Sequence, residues 1–348
     1  MTEALSPVRL TQLASDQERV GHWDEAAGLY ARAFRESLHS GAVEHASDAL
    51  RGQARVRNRE RRWDEAEELA ELSREIAERA GLARAAARAV NVVGLIRHAR
   101  GDWKGAHALF ARAHELALDL GDDELAGFAL QNTGVIANLM GDLREARTLY
   151  LECIGSFVRS GSSASAALAY NNLGMVCGDL HEWMEAEIFY ARGIEIAERI
   201  GDSPALAFLL SNRSQPLIEV GDTERALASL ARAEEIAAKI GERGVLSDVA
   251  RYRGVLALRT GDEAAAEESL NQALELATGP GLEVERAAAL RELGELRRTR
   301  GHTAEARNAF TQARTFFAAL GAARDVAEID VRLAGLGESG PTLQTVET

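Results

Sequence analysis

The sequence predicts an all-α solenoid of about eight helix pairs with a C-terminal capping helix, on three observations. Trp23, Trp63, Trp103 and Trp183 fall on one series of step 40, and so do Gly41, Gly81, Gly121, Gly161, Gly201, Gly241, Gly281 and Gly321. Gly21, Gly101, Gly141, Gly221, Gly261 and Gly301 fill most of the midpoints, so each unit has two halves. Only 5 prolines and 5% aromatic residues are present, while alanine and leucine recur at helical spacing, a composition that favours helix throughout. Self-similarity at such a period marks one supersecondary unit stacked on copies of itself. In a repeat array each unit contacts only its neighbours, so 348 residues need not split into globular domains. Residues 7–336 are therefore expected to form a single solenoid domain, with 1–6 a flexible N-terminus and 337–348 a flexible tail.

One unit shows how each element is specified. Residues 44–60 and 64–79 carry two helical patterns linked by Arg61-Arg62-Trp63 and ended by Ala80-Gly81. A glycine just past a helix can take the left-handed conformation that satisfies the last carbonyls, so the beat at 41, 81 and 121 marks C-termini. The intermediate beat marks the turn inside a pair. There Asp142 and Glu145 have capping-box spacing, and Asp102, Asp222 and Asp262 can cap without the glutamate. Ser203-Pro204 reads as a cap followed by proline at the first helical position.

Small residues recur where helices must approach. Ala54, Gly94, Gly134, Gly174, Ser214, Gly254 and Gly294 share one position of the first helices. In the second helices an alanine series from Ala26 to Ala306 is followed four residues later by Tyr30, Phe110, Tyr150, Tyr190, Leu230, Leu270 or Phe310, with Ala70 the exception. Glycine inside a helix costs up to about 1 kcal/mol against alanine, so its recurrence in register implies a packing reason.

This order of glycine, alanine, ring and alanine resembles the tetratricopeptide repeat over roughly residues 7 to 336, with a last helix from about 322 to 336 ending the array. The period of 40 exceeds the usual length of the repeat, and the proline often found at its end is absent. Long-period variants of this kind look like those of kinesin light chains, of bacterial transcription-activator sensors and of peptide-pheromone receptors. The resemblance implies a right-handed superhelix whose first helices line a concave groove, and a non-enzymatic module that binds peptides or proteins.

The glycine stripe faces the core, so the groove takes the other stripe of each first helix. It carries Phe128, Gln131, Asn132, Val135 and Asn138, then Leu168, Asn171, Asn172 and Met175, then Phe208, Ser211, Asn212 and Gln215. Asn132, Asn172 and Asn212 stand 40 apart as a ladder. An asparagine amide matches the backbone of an extended peptide in donors and acceptors, and the long-period relatives use an asparagine in this way. The alternative is that the ladder bonds neighbouring helices and keeps their register. Phe128, Leu168, Met175 and Phe208 would accept apolar side chains.

Charge is segregated by helix. Residues 44–62 hold six arginines against three acids and 82–100 hold Arg84, Arg88, Arg97 and Arg100 with no acid, whereas 63–80 hold seven acids and two arginines. Arg286, Arg291, Arg297, Arg298 and Arg300 crowd residues 286–300. Arg51, Arg55, Arg88 and His98 are the groove-facing set expected near the N-terminus, with Arg57 and Arg97 deeper between units. Arginine forks suit carboxylates, so an acidic partner segment with apolar side chains is expected. The alternative is pairing with glutamates of adjacent helices.

A net charge of −14 argues against general nucleic-acid binding. No apolar run reaches membrane-spanning length and residues 1–20 lack a signal-peptide core, so neither membrane nor export is expected. Cys153 and Cys177 fall on packing positions as inert thiols, and a reducing cytoplasm, in a bacterium, is the expectation. Pro216 should kink its helix and could open a pocket beside Asn212. No phosphate loop, nucleophile elbow or zinc signature is legible, and His107 with His114 makes no ligand set. No cofactor or catalytic residue is expected. The leading expectation is a protein- or peptide-binding scaffold; the alternative is an effector-sensing module of bacterial signalling or transcription control, although no helix-turn-helix or nucleotide-binding motif is legible. An uncapped end would also permit self-association.

Overall fold

The computed structural model describes residues 5–19 and 21–337, and within them every regular element is a helix. The expectations for 1–4 and 338–348 lie outside the described residues. The chain divides into two compact units, Met1–Ile136 with Leu151–Ser162, and Ala137–Tyr150 with Ser163–Thr348.

The first unit contains α1 (Pro7–Arg19), α2 (Trp23–Ser40), α3 (Val43–Arg59), α4 (Trp63–Arg79), α5 (Ala83–Ala99) and α6 (Trp103–Leu120). It also takes most of α7 (Asp123–Met140) and the end of α8 (Leu143–Ser160). The second unit holds the remainder of those two helices. It continues with α9 (Ser163–Asp179), α10 (Trp183–Ile200), α11 (Ser203–Glu219), α12 (Thr223–Ile240) and α13 (Arg243–Thr260). It ends with α14 (Glu263–Leu276), α15 (Glu283–Thr299), α16 (Thr303–Ala319) and α17 (Ala323–Gly335). Within each unit, helices pack on their chain neighbours and first helices also pack on one another, as α3 on α5 and α11 on α13. This is an α-solenoid of helix pairs with a last helix at the C-terminal end.

The core follows the repeat. Ala26, Ala66, Ala106, Ala146, Ala186, Ala226, Ala266 and Ala306 are fully buried. The recurrent glycines seat the rings that follow them: a Cβ on Gly94 would stand 2.5 Å from the Phe110 ring, and one on Gly294 2.6 Å from Phe310. Gly174 stands in the same relation to Tyr190. The helices therefore approach as closely as a missing side chain allows, which is the packing reason the sequence implied.

The turn glycines of both beats have φ between 61° and 90° wherever the repeat supplies them. Arg61 and His181 occupy two intermediate positions where glycine is missing, and both take φ 60°. Asp102, Asp222 and Asp262 accept the backbone N–H of Gly105, Arg225 and Ala265 as caps. The start of α11 differs from expectation: Asp202 is the cap, accepting from Ala205 N–H, and Ser203 is already helical. The carboxylate one residue upstream is the stronger acceptor at a helix N-terminus. Pro216 lies within α11, which continues to Glu219.

Candidate functional site: two cavities lined by first helices

In the first unit, α3 and α5 bring Arg51, Arg55, Arg88 and Asn91 to a cavity of about 290 Å³, with Phe128 of α7 on its wall. Arg55 donates from Nε and Nη2 to Glu18 at 2.9 and 2.8 Å, and from Nη2 to the Tyr30 hydroxyl at 3.0 Å. Burial works to raise the Glu18 pKa, but the Arg55 bonds hold it below the usual value. Burial also pushes the Tyr30 phenol up to about 12.

Arg51 is only 9% exposed. Its Nη2 meets Asp48 at 2.7 Å, while its Nη1 is buried with no hydrogen-bond partner among the described residues. Burial lowers its pKa, with Arg55 and Arg88 adding repulsion against the pull of Asp48. Arg88 lies 3.4 Å from Glu124 and 3.6 Å from Asp122. His98 sits near the far end of α5, away from this set; burial lowers its pKa and its Nε2 has no partner among the described residues.

In the second unit, Asn138, Asn171, Met175, Phe208, Asn212 and Gln215 all line one cavity of about 330 Å³. Six positions of the expected groove stripe thus face a common space. Asn212 donates from Nδ2 to Asn171 Oδ1 at 2.9 Å, and Asn171 turns its Nδ2 to the Met175 sulfur at 3.5 Å. The matching bond in the first unit runs from Asn132 Nδ2 to Asn91 Oδ1 at 3.2 Å. Each bond uses one amide proton and joins successive first helices. Asn172 is half-buried and makes no side-chain hydrogen bond among the described residues. Leu168, Met175 and Phe128 are exposed, Gln131 half-buried with its Oε1 unpartnered.

Arg57 and Arg97, expected deeper between units, pair with acids, as the alternative reading of the arginines has it. Arg57 meets Glu60 at 2.8 Å, and Arg97 bonds Glu67 of the preceding helix. Arg297 repeats that bond with Glu267. Arg213, which stands at a usually apolar position, bonds Glu187 at 2.5 Å, and Arg225 shares the same carboxylate at 2.6 Å. Both cysteines are buried, and burial pushes their thiols up to about 12.

Sequence reading missed much of the second cavity. Arg251, Tyr252 and Arg291 line it, as do Phe317 and Arg324 from the last two helices. One signal was present: Ser47-Asp48-x-x-Arg51 recurs as Ser247-Asp248-x-x-Arg251, 200 residues on. The part played by α17 depends on how the second unit curves, which no local pattern records.

Comparison with known proteins places the architecture. The tetratricopeptide-repeat family model matches residues 165–239, within α9 to α12. Among solved structures, a Rap protein complexed with competence and sporulation factor is 13% identical, with TM-score 0.57, covering 95% of this chain and 99% of its own. The apo quorum sensor NprR from B. thuringiensis is 12% identical, with TM-score 0.57, covering 92% and 98%. BtubC from P. vanneervenii is 19% identical, with TM-score 0.53, covering 69% and 94%. No curated protein sequence matches the chain. At these identities the likeness is one of fold, and the family match, the 40-residue beat and the ring-seating glycines agree with it. Residues 165–239 thus carry the tetratricopeptide repeat, and the chain as a whole shares the α-solenoid fold of these structures.

Proposed function

We propose that this protein is a non-enzymatic scaffold that holds an extended segment of a protein or peptide along the groove formed by its first helices. One observation carries the reading: groove positions chosen from the repeat resemblance and helical spacing converge on a single cavity in the second unit, where amides alternate with Phe208 and Met175. Asn132 and Asn212 each give one amide proton to the preceding first helix. Each keeps a second proton and an oxygen, the pair that a guest backbone needs. In the first unit the unpartnered Nη1 of Arg51 and the apolar face of Phe128 favour a guest with an acidic residue beside an apolar one. Neighbours in fold include a protein solved with a competence and sporulation factor and a quorum sensor from B. thuringiensis, which agrees with a signalling guest and a bacterial setting.

A second reading is a sensor of a small effector. It is favoured by the size of the second cavity, about 330 Å³, and by the last two helices contributing to its wall.

Panning a random-peptide display library separates the readings. Wild type should enrich peptides, and the triple variant N132A/N172A/N212A should lose them with its melting temperature nearly unchanged. Unfolding of the triple variant would make the ladder structural. Enrichment by neither protein would favour the effector.

A further inference from the structure

The last helix reaches residues far behind it in sequence. Arg324, in the first turn of α17, bonds the carboxylate of Asp179 at the end of α9 and lies 3.4 Å from Asn138 Oδ1 at the end of α7. These partners are 145 and 186 residues away, and all three belong to the second unit. Backbone proximity accompanies the polar contact, since a Cβ on Gly141 would stand 3.7 Å from that of Arg324. Leu139 packs on the apolar cluster of Phe317, Ala322 and Ile329. Asn138 is a groove position, and Arg324 lines the same cavity as Asn171 and Asn212.

We infer that α17 is a latch across the groove of the second unit, held by Arg324 on Asp179 and Asn138, and that a segment can be laid into this groove only when the latch parts. The contact is built to be reversible. Arg324 and Asp179 keep side-chain exposures of 28% and 27%, so water reaches both when they separate. Burial raises the Asp179 pKa and the attraction of Arg324 does not overcome it. On the aspartate side the pair's attraction therefore falls short of its desolvation cost, as is common for a partly buried ion pair. The apolar contact across to α7 is small, Leu139 against the cluster that seats α17 through Ala322 and Ile329, and terminal elements open more readily than central ones. The inference concerns access to the groove and holds whether the guest is a peptide or an effector.

The test is the reactivity of one cysteine in the full chain. Gln215 is half-buried and lines the cavity, while both native thiols are buried and raised to about 12, so they stay silent. In a Q215C background, reaction with a bulky polyethylene-glycol maleimide should quicken about threefold or more on adding R324A or D179N. Reaction with N-ethylmaleimide should hardly change, and R324K, which keeps the charge, should stay close to the parent. Equal rates for the bulky reagent in parent and R324A would overturn the latch. Parallel acceleration of both reagents would also overturn it, because it would report general loosening.

Discussion

Ser47-Asp48-x-x-Arg51 in the first unit and Ser247-Asp248-x-x-Arg251 in the second are the same local design in two settings. Both arginines are buried, at 9% and 8% exposure, and both lie 2.7 Å from the aspartate three residues back. Both serines also bond the backbone carbonyl of residue 73 or 273 in the following helix. The difference lies in what the adjacent helices and the next residue supply. Arg251 stacks over the Tyr252 ring with its guanidinium carbon 4.0 Å from the centroid, and donates from both Nε and Nη2 to Asp248. Arg51 is followed by Gly52, which seats the Tyr30 ring, and it faces Arg55 and Arg88. Burial lowers the pKa of Arg51, whereas the Arg251 pKa is raised despite burial, by Tyr252 and Asp248. A helix-local motif thus fixes an ion pair, and the neighbours decide whether the cation is left under-compensated. The first unit leaves a buried guanidinium edge without a partner; the second encloses a compensated one.

The largest test of this contrast removes the aspartates. Deleting one partner of a buried pair costs about 3–5 kcal/mol. Asp48→Ala should fall in that range, while Asp248→Ala should cost less because Arg251 keeps the Tyr252 face, worth up to about 2 kcal/mol. Urea midpoints of the two variants check the order, and a larger loss for Asp248→Ala would break the comparison. Replacing the cations comes next. Arg251→Met should cost about 1–3 kcal/mol by stranding Asp248, whereas Arg51→Met should stay within about 1 kcal/mol of wild type. Thermal melts would contradict the account if the two variants matched.

The glycines sharpen the comparison from the other side, because here the units should agree. Gly94→Ala and Gly294→Ala should each cost about 1–3 kcal/mol through overpacking on Phe110 and Phe310. Gly28→Ala, with nothing within 4 Å of its Cβ, should gain up to about 1 kcal/mol. Unequal losses for the first two in a melting experiment would show that the units differ in core as well as in charge. The smallest effects belong to Arg61 and His181. Each is held at φ 60°, so Arg61→Gly and His181→Gly should raise the unfolding midpoint by about 0.5–1 kcal/mol equivalent. A lowered midpoint would mean that their side-chain contacts outweigh the backbone strain.

Much of this was legible because a repeat prints its geometry many times. The helix ends, the ring-seating glycines and the buried alanines all follow from periods of 40 and 3.6 residues, with no knowledge of long-range contacts. The start of α11 was misread because Ser203-Pro204 is a good local signal, and the competing Asp202 stands two periods after Asp122, which accepts from Leu125 N–H at the start of α7 in the same way. Of the expected groove residues, the amide and apolar positions 171, 175, 208 and 212 share one cavity, as 51, 55, 88 and 128 share another. Arg324 escaped notice because superhelical curvature brings it to Asp179, and curvature is a sum of small rotations that no single unit encodes. Arginine pairing was legible only as an alternative: helical spacing gives the face on which Arg97 lies, but not that Glu67 waits on the neighbouring helix.

The central claim is that the first helices form the binding surface. The most direct measurement is a hydrogen-exchange footprint of a peptide selected by panning, bound to the full-length wild-type chain. The account predicts added protection in α3, α5 and α7, or in α9, α11 and α13. Protection confined to the second helices, such as α4, α6, α10 and α12, would contradict it.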